Sequence, residues 1–189
     1  VVLWEKYGND SQVASITFQK ISSNGIISDT KIKGEYISSM CKEFHGGFRG
    51  EHCEVFRKEI FMSKEFPVFL NEYFMAEGVM WYLITQGKKT VYTELPIYRF
   101  EYLQDGLTRN IRKIMADNPN GAYWNAIQMV NSEFGIKVKI KNGILAIYYG
   151  WLSKKDFKVI RKEINNKLIY FVALVPYLWV KILWNKYVN

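Results

Sequence analysis

The fold class follows from residues 77–98, whose sequence is EGVMWYLITQGKKTVYTELPIY. Apolar residues in its first half recur three and four positions apart, as on one buried face of a helix. These residues are Val79, Met80, Leu83 and Ile84. Gly87 is a typical helix stop, and residues 90–98 then alternate as a strand does, with Pro96 marking an edge or a bulge. A helix followed closely by a strand predicts a chain of mixed α/β class.

The flanking segments extend this pattern in both directions. Residues 13–21 have the β-branched and aromatic content of a strand, and Asn24-Gly25 predicts a turn after it. Residues 36–44 suit a short helix, whereas residues 54–61 fit either a strand or a helix start. Later helical or apolar segments are predicted at residues 107–116, 122–134 and 144–152, with a turn at 118–121. Strands in the first half and helices in the second indicate an α/β fold with a helical C-terminal appendage.

Positive charge is concentrated at the end of the chain. The 189 residues include 26 Lys and Arg against 18 Asp and Glu, a net charge of +8. Residues 137–189 hold 11 basic and 2 acidic residues, while residues 1–136 hold 15 and 16. This excludes a uniformly basic nucleic-acid coat protein and favours one partner surface near the C-terminus. We therefore predict a body over residues 1–135 and a basic appendage over residues 136–189.

The appendage combines a basic helix face with an apolar run. The basic residues Lys154, Lys155, Lys158, Arg161 and Lys162 share one predicted face, and Phe157, Ile160, Ile164 and Leu168 share the opposite one. The apolar run over residues 168–180 is shorter than the ~20 residues that span a bilayer, and Pro176 would kink it. A chain lying in the headgroup region of an anionic leaflet fits this pattern.

Other interpretations of the apolar run remain open. A core helix packed on the body, or a helix that docks on a partner, would have the same sequence pattern. Nucleic-acid binding is disfavoured, because the aromatic residues form one block instead of alternating with the lysines. We therefore expect an anionic membrane surface as a partner and no nucleic acid.

Two features bear on metal sites and on the N-terminus. Cys41, His45, His52 and Cys53 lie in one stretch but lack the close-spaced ligand pairs of a zinc site, so we predict ordinary buried thiols in a reducing compartment. The chain begins without Met, and its first residues resemble the end of a helix closed at Gly8. We expect a longer protein to precede Val1.

One pair of carboxylates stands out as a candidate for chemistry. Glu72 and Glu77 lie in the segment NEYFMAEG, residues 71–78, and Glu77 opens the predicted helix. A helix dipole stabilises a carboxylate there by about 0.3–1 kcal/mol, so a structural role also accounts for Glu77. The sequence contains no Gly-rich phosphate loop, no Ser/His/Asp set and no metal-spaced cluster. None of these sequence features forms a complete active site by itself.

Several short motifs occur in a recognisable order between residues 66 and 125. They are NEYFMAEG at 71–78, VMWY at 79–82, KTVY at 89–92, YRFEY at 98–102, DGLT at 105–108 and NPNGA at 118–122. Together they resemble the acceptor-side half of inverting family 2 glycosyltransferases of bacterial surface-polysaccharide synthesis, and CEVFR at 53–57 resembles an earlier segment of that family. Departures from the family pattern are Tyr73 for Lys, Ala76 for Pro, Gly78 for Asp and Thr108 for Ser.

The resemblance implies a GT-A fold, a mixed sheet with helices, of which residues 1–135 would be the acceptor-side half. The nucleotide-binding half, with its Asp-x-Asp metal motif, would precede Val1. The implied reaction is a single displacement in which an acceptor hydroxyl attacks the anomeric carbon of a nucleotide-sugar while a carboxylate takes its proton. The implied cofactor is a divalent metal, Mg²⁺ or Mn²⁺, that stabilises the leaving diphosphate and has no ligands in this chain.

The resemblance also assigns roles to residues. Glu77 matches the first acid of the family's acidic pair and is the candidate catalytic base. The candidate acceptor-binding residues are Glu72, Trp81, Arg57, Gln104 and Asp105. Trp81 could equally be a core residue, and Gln104 and Asp105 could simply form a turn. The implied partners are a nucleotide-sugar and a glycan or lipid-linked acceptor, on the cytoplasmic face of a bacterial membrane. The alternative is a non-catalytic membrane-docking or protein-interaction module.

Overall fold

The computed structural model describes residues 2–25, 32–46, 52–101 and 106–187. The chain forms two compact units, one of Val1–Glu65 with Met80–Leu103 and one of Phe66–Val79 with Gln104–Asn189. The boundary predicted from charge, between residues 135 and 136, falls inside the second unit. It does so because the helices on either side of it share one hydrophobic core.

A mixed sheet is the framework of the first unit. Its described strands are β1 (Val13–Ser22), β2 (Glu35–Ser38), β3 (His52–Phe56) and β4 (Lys89–Phe100), in the spatial order β2-β4-β1-β3. The central strands β1 and β4 run parallel, and the outer strands β2 and β3 pair with them antiparallel. The predicted mixed α/β class is confirmed.

Strand β1 is buried along most of its length. Val13 and Ile16 are fully enclosed, and so are the polar residues Ser15, Thr17 and Gln19 between and after them. Burial of successive residues means that both faces of the strand are covered, as expected for a strand in a parallel pair. Ser15 shares a hydrogen bond of 2.8 Å between hydroxyls with Thr90 on β4. This contact joins positions 75 residues apart.

Pro96 lies at an irregularity of β4, as predicted. The register between β1 and β4 shifts at this point. Thr17 pairs with Tyr92 and Gln19 with Pro96, so an advance of two residues on β1 corresponds to four residues on β4. Strand β2 pairs with β4 only from Thr90 to Thr93. Pro96 therefore lies beyond the segment that pairs with β2, and its missing N–H costs no hydrogen bond to that strand.

The described helices of this unit are short: α1 (Val2–Tyr7), α2 (Met40–Gly46) and α3 (Lys58–Phe61). The prediction of one helix over residues 36–44 is wrong, because Glu35–Ser38 forms β2 and the helix begins at Met40. Tyr36 stacks on Tyr92 of the neighbouring strand, with ring centres 5.2 Å apart, and such cross-strand pairs stabilise a sheet. Residues 54–61 contain both predicted alternatives, since β3 ends at Phe56 and α3 follows. Helix α4 (Gly78–Thr85) buries Val79, Met80 and Ile84 as its spacing predicts, whereas Leu83, predicted on the same face, is half-buried.

The second unit is helical. It contains α5 (Leu107–Asp117), α6 (Pro119–Asn131), α7 (Ile136–Leu152), α8 (Phe157–Glu163) and α9 (Lys167–Trp184), followed by a 3-10 turn at Asn185–Tyr187. Helices α6 to α9 share one core, rich in tyrosine, isoleucine and alanine. Gly143 allows α7 and α9 to approach, since a Cβ there would lie 3.0 Å from Ile169 and 3.2 Å from Ala173.

Several helix boundaries in this unit differ from the predictions, and α7 begins at Ile136, well before the predicted segment 144–152. The turn expected at residues 118–121 is instead the start of α6, where Pro119 takes the first helical position that suits its fixed φ. The basic helix ends at Glu163, and Ile164 adopts an extended conformation, so Leu168 does not continue its apolar face. Helix α9 begins after Asn166, whose side chain accepts hydrogen bonds from the Leu168 and Ile169 amides.

Helix α9 also runs past the predicted end of the apolar segment. It passes through Pro176 and continues to Trp184. Within the described part of the chain, Lys167–Tyr187 is the one helical segment whose length and composition, with a mean hydropathy of 1.6, would suffice to cross a membrane.

Candidate functional site

Glu72 caps the N-terminus of α6. Its carboxylate accepts hydrogen bonds from the backbone amides of Asn120 (2.7 Å) and Gly121 (2.8 Å), and from the Asn120 side chain (2.8 Å). The first amides of a helix have no partner within the helix, and a carboxylate satisfies them while also facing the positive end of the helix dipole. Two motifs that are 48 residues apart in the sequence are thereby held together.

Asn118, the residue before α6, binds the backbone of the segment that follows Glu72. Its side-chain oxygen accepts hydrogen bonds from the Tyr73 amide (2.7 Å) and the Phe74 amide (3.1 Å), and its side-chain nitrogen donates to the Ile114 carbonyl (2.7 Å). The Asn118 side chain is buried, and a buried amide is costly to leave without such partners. Asn118 thus binds the segment after Glu72 to the end of α5.

Close packing completes this junction. A Cβ on Gly121 would lie 3.1 Å from the Phe74 carbonyl oxygen, so the segment runs directly against the first turn of α6. One turn further on, Asn125 donates a hydrogen bond to the Ala76 carbonyl (3.1 Å). The segment from Glu72 to Ala76 is therefore held at three points along its length.

Glu77 lies where this anchored segment ends. It is the residue immediately before α4, its side chain is exposed, and none of the described residues forms a hydrogen bond or ion pair with its carboxylate. The carboxylate is not enclosed by apolar neighbours. The Glu77 backbone follows directly on Ala76, whose carbonyl is held by Asn125, and its side chain is accessible to a ligand.

Trp81 and Arg57 lie in the first unit. The Trp81 ring packs against Phe56 and Phe61, with centre distances of 5.0 and 5.9 Å, and is half-buried. The Arg57 guanidinium donates to the carbonyls of Gly8 (2.6 Å) and Asp10 (2.9 Å) and lies over the Trp4 ring. These contacts give Arg57 a structural role at the start of β1, and acceptor binding by either residue stays a prediction.

The last two predicted acceptor-binding residues are not among those that the structure describes. Gln104 and Asp105 lie outside the described residues. Among the described residues, no group of three His, Cys, Asp or Glu side chains could hold a metal ion. Cys41 and Cys53 form no disulfide and are only half-buried, less enclosed than predicted.

One face of α6 lines a pocket of about 290 Å³ in the second unit. Its lining includes Asn120, Tyr123, Trp124 and Gln128 of α6, together with Phe69 and Lys155. The Tyr123 hydroxyl donates a 2.6 Å hydrogen bond to Glu163, and the Lys155 ammonium lies 4.9 Å from the centre of the Tyr123 ring. Burial, followed by the hydrogen bond to Glu163, raises the pKa of Tyr123 above its ordinary value.

Sequence reasoning did not find this pocket. Its α6 residues recur three and four positions apart, which is a detectable pattern. That pattern mixes aromatic and amide side chains, however, so it does not stand out as a hydrophobic face. Asn120 links the pocket to the α6 cap, since it both lines the pocket and binds Glu72.

The comparisons with known proteins leave the family resemblance without independent support. No family model, no curated protein and no solved structure matches this chain.

Proposed function

We propose that this chain is the acceptor-side half of an inverting glycosyltransferase with a GT-A fold. It transfers a sugar from a nucleotide-sugar donor to a glycan or lipid-linked acceptor, at the cytoplasmic face of a bacterial membrane. The observation that supports this proposal is the junction between residues 71–78 and α6. Two motifs that suggest the family by their order in the sequence are in contact through Glu72, Asn118 and Gly121.

In this proposal Glu77 is the catalytic base. The acceptor hydroxyl loses its proton to the Glu77 carboxylate as its oxygen bonds to the anomeric carbon, and the bond from that carbon to the diphosphate breaks on the opposite side. The anchored segment holds the base in position, so that little ordering is needed when the acceptor binds. Glu72 is then a positioning residue, because its carboxylate is already engaged by the amides of α6.

The divalent metal does not fit the residues that the structure describes, since they provide no ligand cluster. No step carried out by Glu77 or Glu72 depends on the metal.

We assign the acceptor glycan to the pocket on α6. Aromatic side chains with a few polar groups are typical of small-molecule sites, and Trp124 offers an apolar face to the C–H groups of a sugar ring. Asn120 and Gln128 offer amide groups to its hydroxyls. Trp124→Ala should therefore raise the KM for the acceptor more than it lowers kcat, and an unchanged KM would remove the pocket from the proposal.

The decisive experiment uses the longest natural form of the protein that contains this chain. Release of nucleoside diphosphate is measured with a panel of nucleotide-sugars, for the wild type, for Glu77→Gln and for Glu65→Gln. Loss of a general base costs ~10²–10⁴-fold in rate, so we expect Glu77→Gln to lose that much at an unchanged Tm. Glu65, another exposed carboxylate, is the matched control and should keep wild-type turnover.

Two outcomes would contradict the proposal at different levels. Wild-type turnover by Glu77→Gln would mean that another group is the base. No turnover of any donor by the full-length protein would favour the second candidate, a non-catalytic docking module, which the exposed apolar side chains of α9 also support.

A further inference from the structure

Helix α9 exposes a continuous apolar face. Every exposed residue between Leu168 and Leu183 is apolar, and these residues recur three and four positions apart on one side of the helix. They are Leu168, Phe171, Val172, Val175, Leu178, Trp179, Ile182 and Leu183, which we call the outer face. Leu168, Trp179 and Ile182 are each 67–71% exposed. A soluble monomer rarely exposes so many large apolar side chains together.

The opposite side of α9 is part of the core. Ile169, Tyr170, Ala173 and Tyr177 are buried against the other helices of the second unit. A helix that is apolar all round is ordinarily buried all round or lies in lipid. Helix α9 is buried on one side only, so its outer face requires a second apolar environment.

Positive charge adjoins this face. The Arg161 guanidinium of α8 lies 5.5 Å from the centre of the Phe171 ring on the outer face. Lys158 and Lys162, three residues before and one after Arg161, are also exposed. Lys167 and Lys186 lie just before and after the apolar stretch. Apolar and cationic groups are thus side by side on one surface of this unit.

We propose that the outer face of α9 docks on an anionic lipid bilayer with the helix lying in the membrane plane. The apolar side chains enter the acyl boundary, and Arg161, Lys158 and Lys162 contact the negative headgroups. This inference does not depend on glycosyl transfer, and it would stand if that proposal failed.

Two other arrangements fit less well. A second copy of the chain would bring together two surfaces that each belong to a segment with 11 basic and 2 acidic residues, and like charges repel. A membrane-spanning α9 would have to withdraw Ile169, Tyr170, Ala173 and Tyr177 from the core. Docking in the plane leaves that core intact.

The first test measures binding of the purified chain to vesicles by co-sedimentation. Vesicles of equal parts phosphatidylglycerol and phosphatidylcholine are compared with vesicles of phosphatidylcholine alone. We expect binding to the anionic vesicles, weakened by added salt because the headgroup attraction is screened. No binding to anionic vesicles would overturn the proposal.

Matched variants connect the binding to the outer face. Trp179→Ser with Ile182→Ser removes two exposed apolar side chains, and we expect the partition coefficient to fall by about tenfold or more. The control is Val68→Ser with Leu70→Ser, which alters two side chains that are 92% and 89% exposed elsewhere in the chain. Equal losses in both double variants, or none in the first, would contradict the assignment.

Charge variants test the cationic border. Lys158→Gln with Arg161→Gln should lower binding to anionic vesicles by roughly fivefold for each charge removed, while Lys42→Gln with Lys58→Gln should have little effect. Sedimentation without lipid provides a further check. If the wild type forms a dimer that Trp179→Ser with Ile182→Ser dissociates, and vesicles do not bind, the occupant of the outer face is a second copy.

Depth measurements separate docking from spanning. A fluorophore is attached to Leu168→Cys or to Ile182→Cys in a chain whose Cys41 and Cys53 are replaced by serine, and is quenched by lipids labelled at shallow or deep positions. In-plane docking predicts the same depth at both sites. A spanning helix would separate the two sites by about 21 Å along its axis, so unequal depths would overturn the in-plane arrangement.

Discussion

The two ends of the segment from Glu72 to Glu77 differ in what surrounds them. At one end, the Glu72 carboxylate is engaged by two backbone amides and one side-chain amide. At the other end, the Glu77 carboxylate is exposed. Two acids of the same type, five residues apart, are therefore suited to different tasks. The first stabilises the local fold, and the second is available to a ligand.

The largest expected effect on stability is that of replacing Glu72. Glu72→Ala removes three hydrogen bonds to a carboxylate and leaves helix amides without a partner, so we expect a loss of about 2–3 kcal/mol in the free energy of unfolding. Glu77→Ala should change it by less than about 0.5 kcal/mol, as an exposed substitution does. Urea unfolding of both variants tests this contrast. Equal losses would mean that both ends are structural.

A smaller loss of stability is expected when the Asn118 side chain is removed. Asn118→Ala leaves the Tyr73 and Phe74 amides without their acceptor, and we expect a loss of about 1–2 kcal/mol. Asn110→Ala, an exposed asparagine on α5, is the control and should be nearly neutral. If both asparagine variants unfold at the wild-type urea concentration, Asn118 does not hold the segment to the end of α5.

The smallest effect concerns Tyr123, one turn along α6 from the cap. Its folded-state pKa lies above the ordinary value of 10.0, chiefly because of burial. Above pH 10 the folded state therefore keeps a proton on Tyr123 that the unfolded state loses. The stability that Tyr123 contributes is complete below pH 10 and declines as the pH rises above it. Tyr123→Phe cannot ionise, so its stability should decline less steeply above pH 10 than that of the wild type. Urea unfolding at a series of alkaline pH values measures the two slopes, and parallel slopes would contradict the expectation.

Local patterns predicted the elements whose structure depends on their own residues. Strand β1 follows from its β-branched and aromatic composition, helix α4 from hydrophobic spacing, and the irregularity at Pro96 from proline geometry. Residues 35–38 could not be assigned in this way, because a short segment becomes a strand only when β4 lies beside it. The break at Ile164 was missed for a similar reason, since the apolar spacing continues through it to Leu168.

The candidate site could be predicted only in part. The motif that contains Glu72 and Glu77 was identified, and the placement of Glu77 at the start of a helix is confirmed. The partner of Glu72 was not identified, because a hydrogen bond to amides 48 residues away produces no periodic pattern in the sequence. The pocket on α6 was missed because its lining joins one helix face to Phe69 and Lys155, which are remote from that face in the sequence.

The parallel pairing of β1 with β4 also has a consequence for how the protein is made. Ser15 and Thr90 are neighbours in the sheet, yet 75 residues separate them along the chain. A ribosome therefore releases β1 well before the strand that covers its inner edge, and such non-local pairing slows folding. During that interval this edge of β1 has no partner strand, and exposed strand edges of this kind favour aggregation.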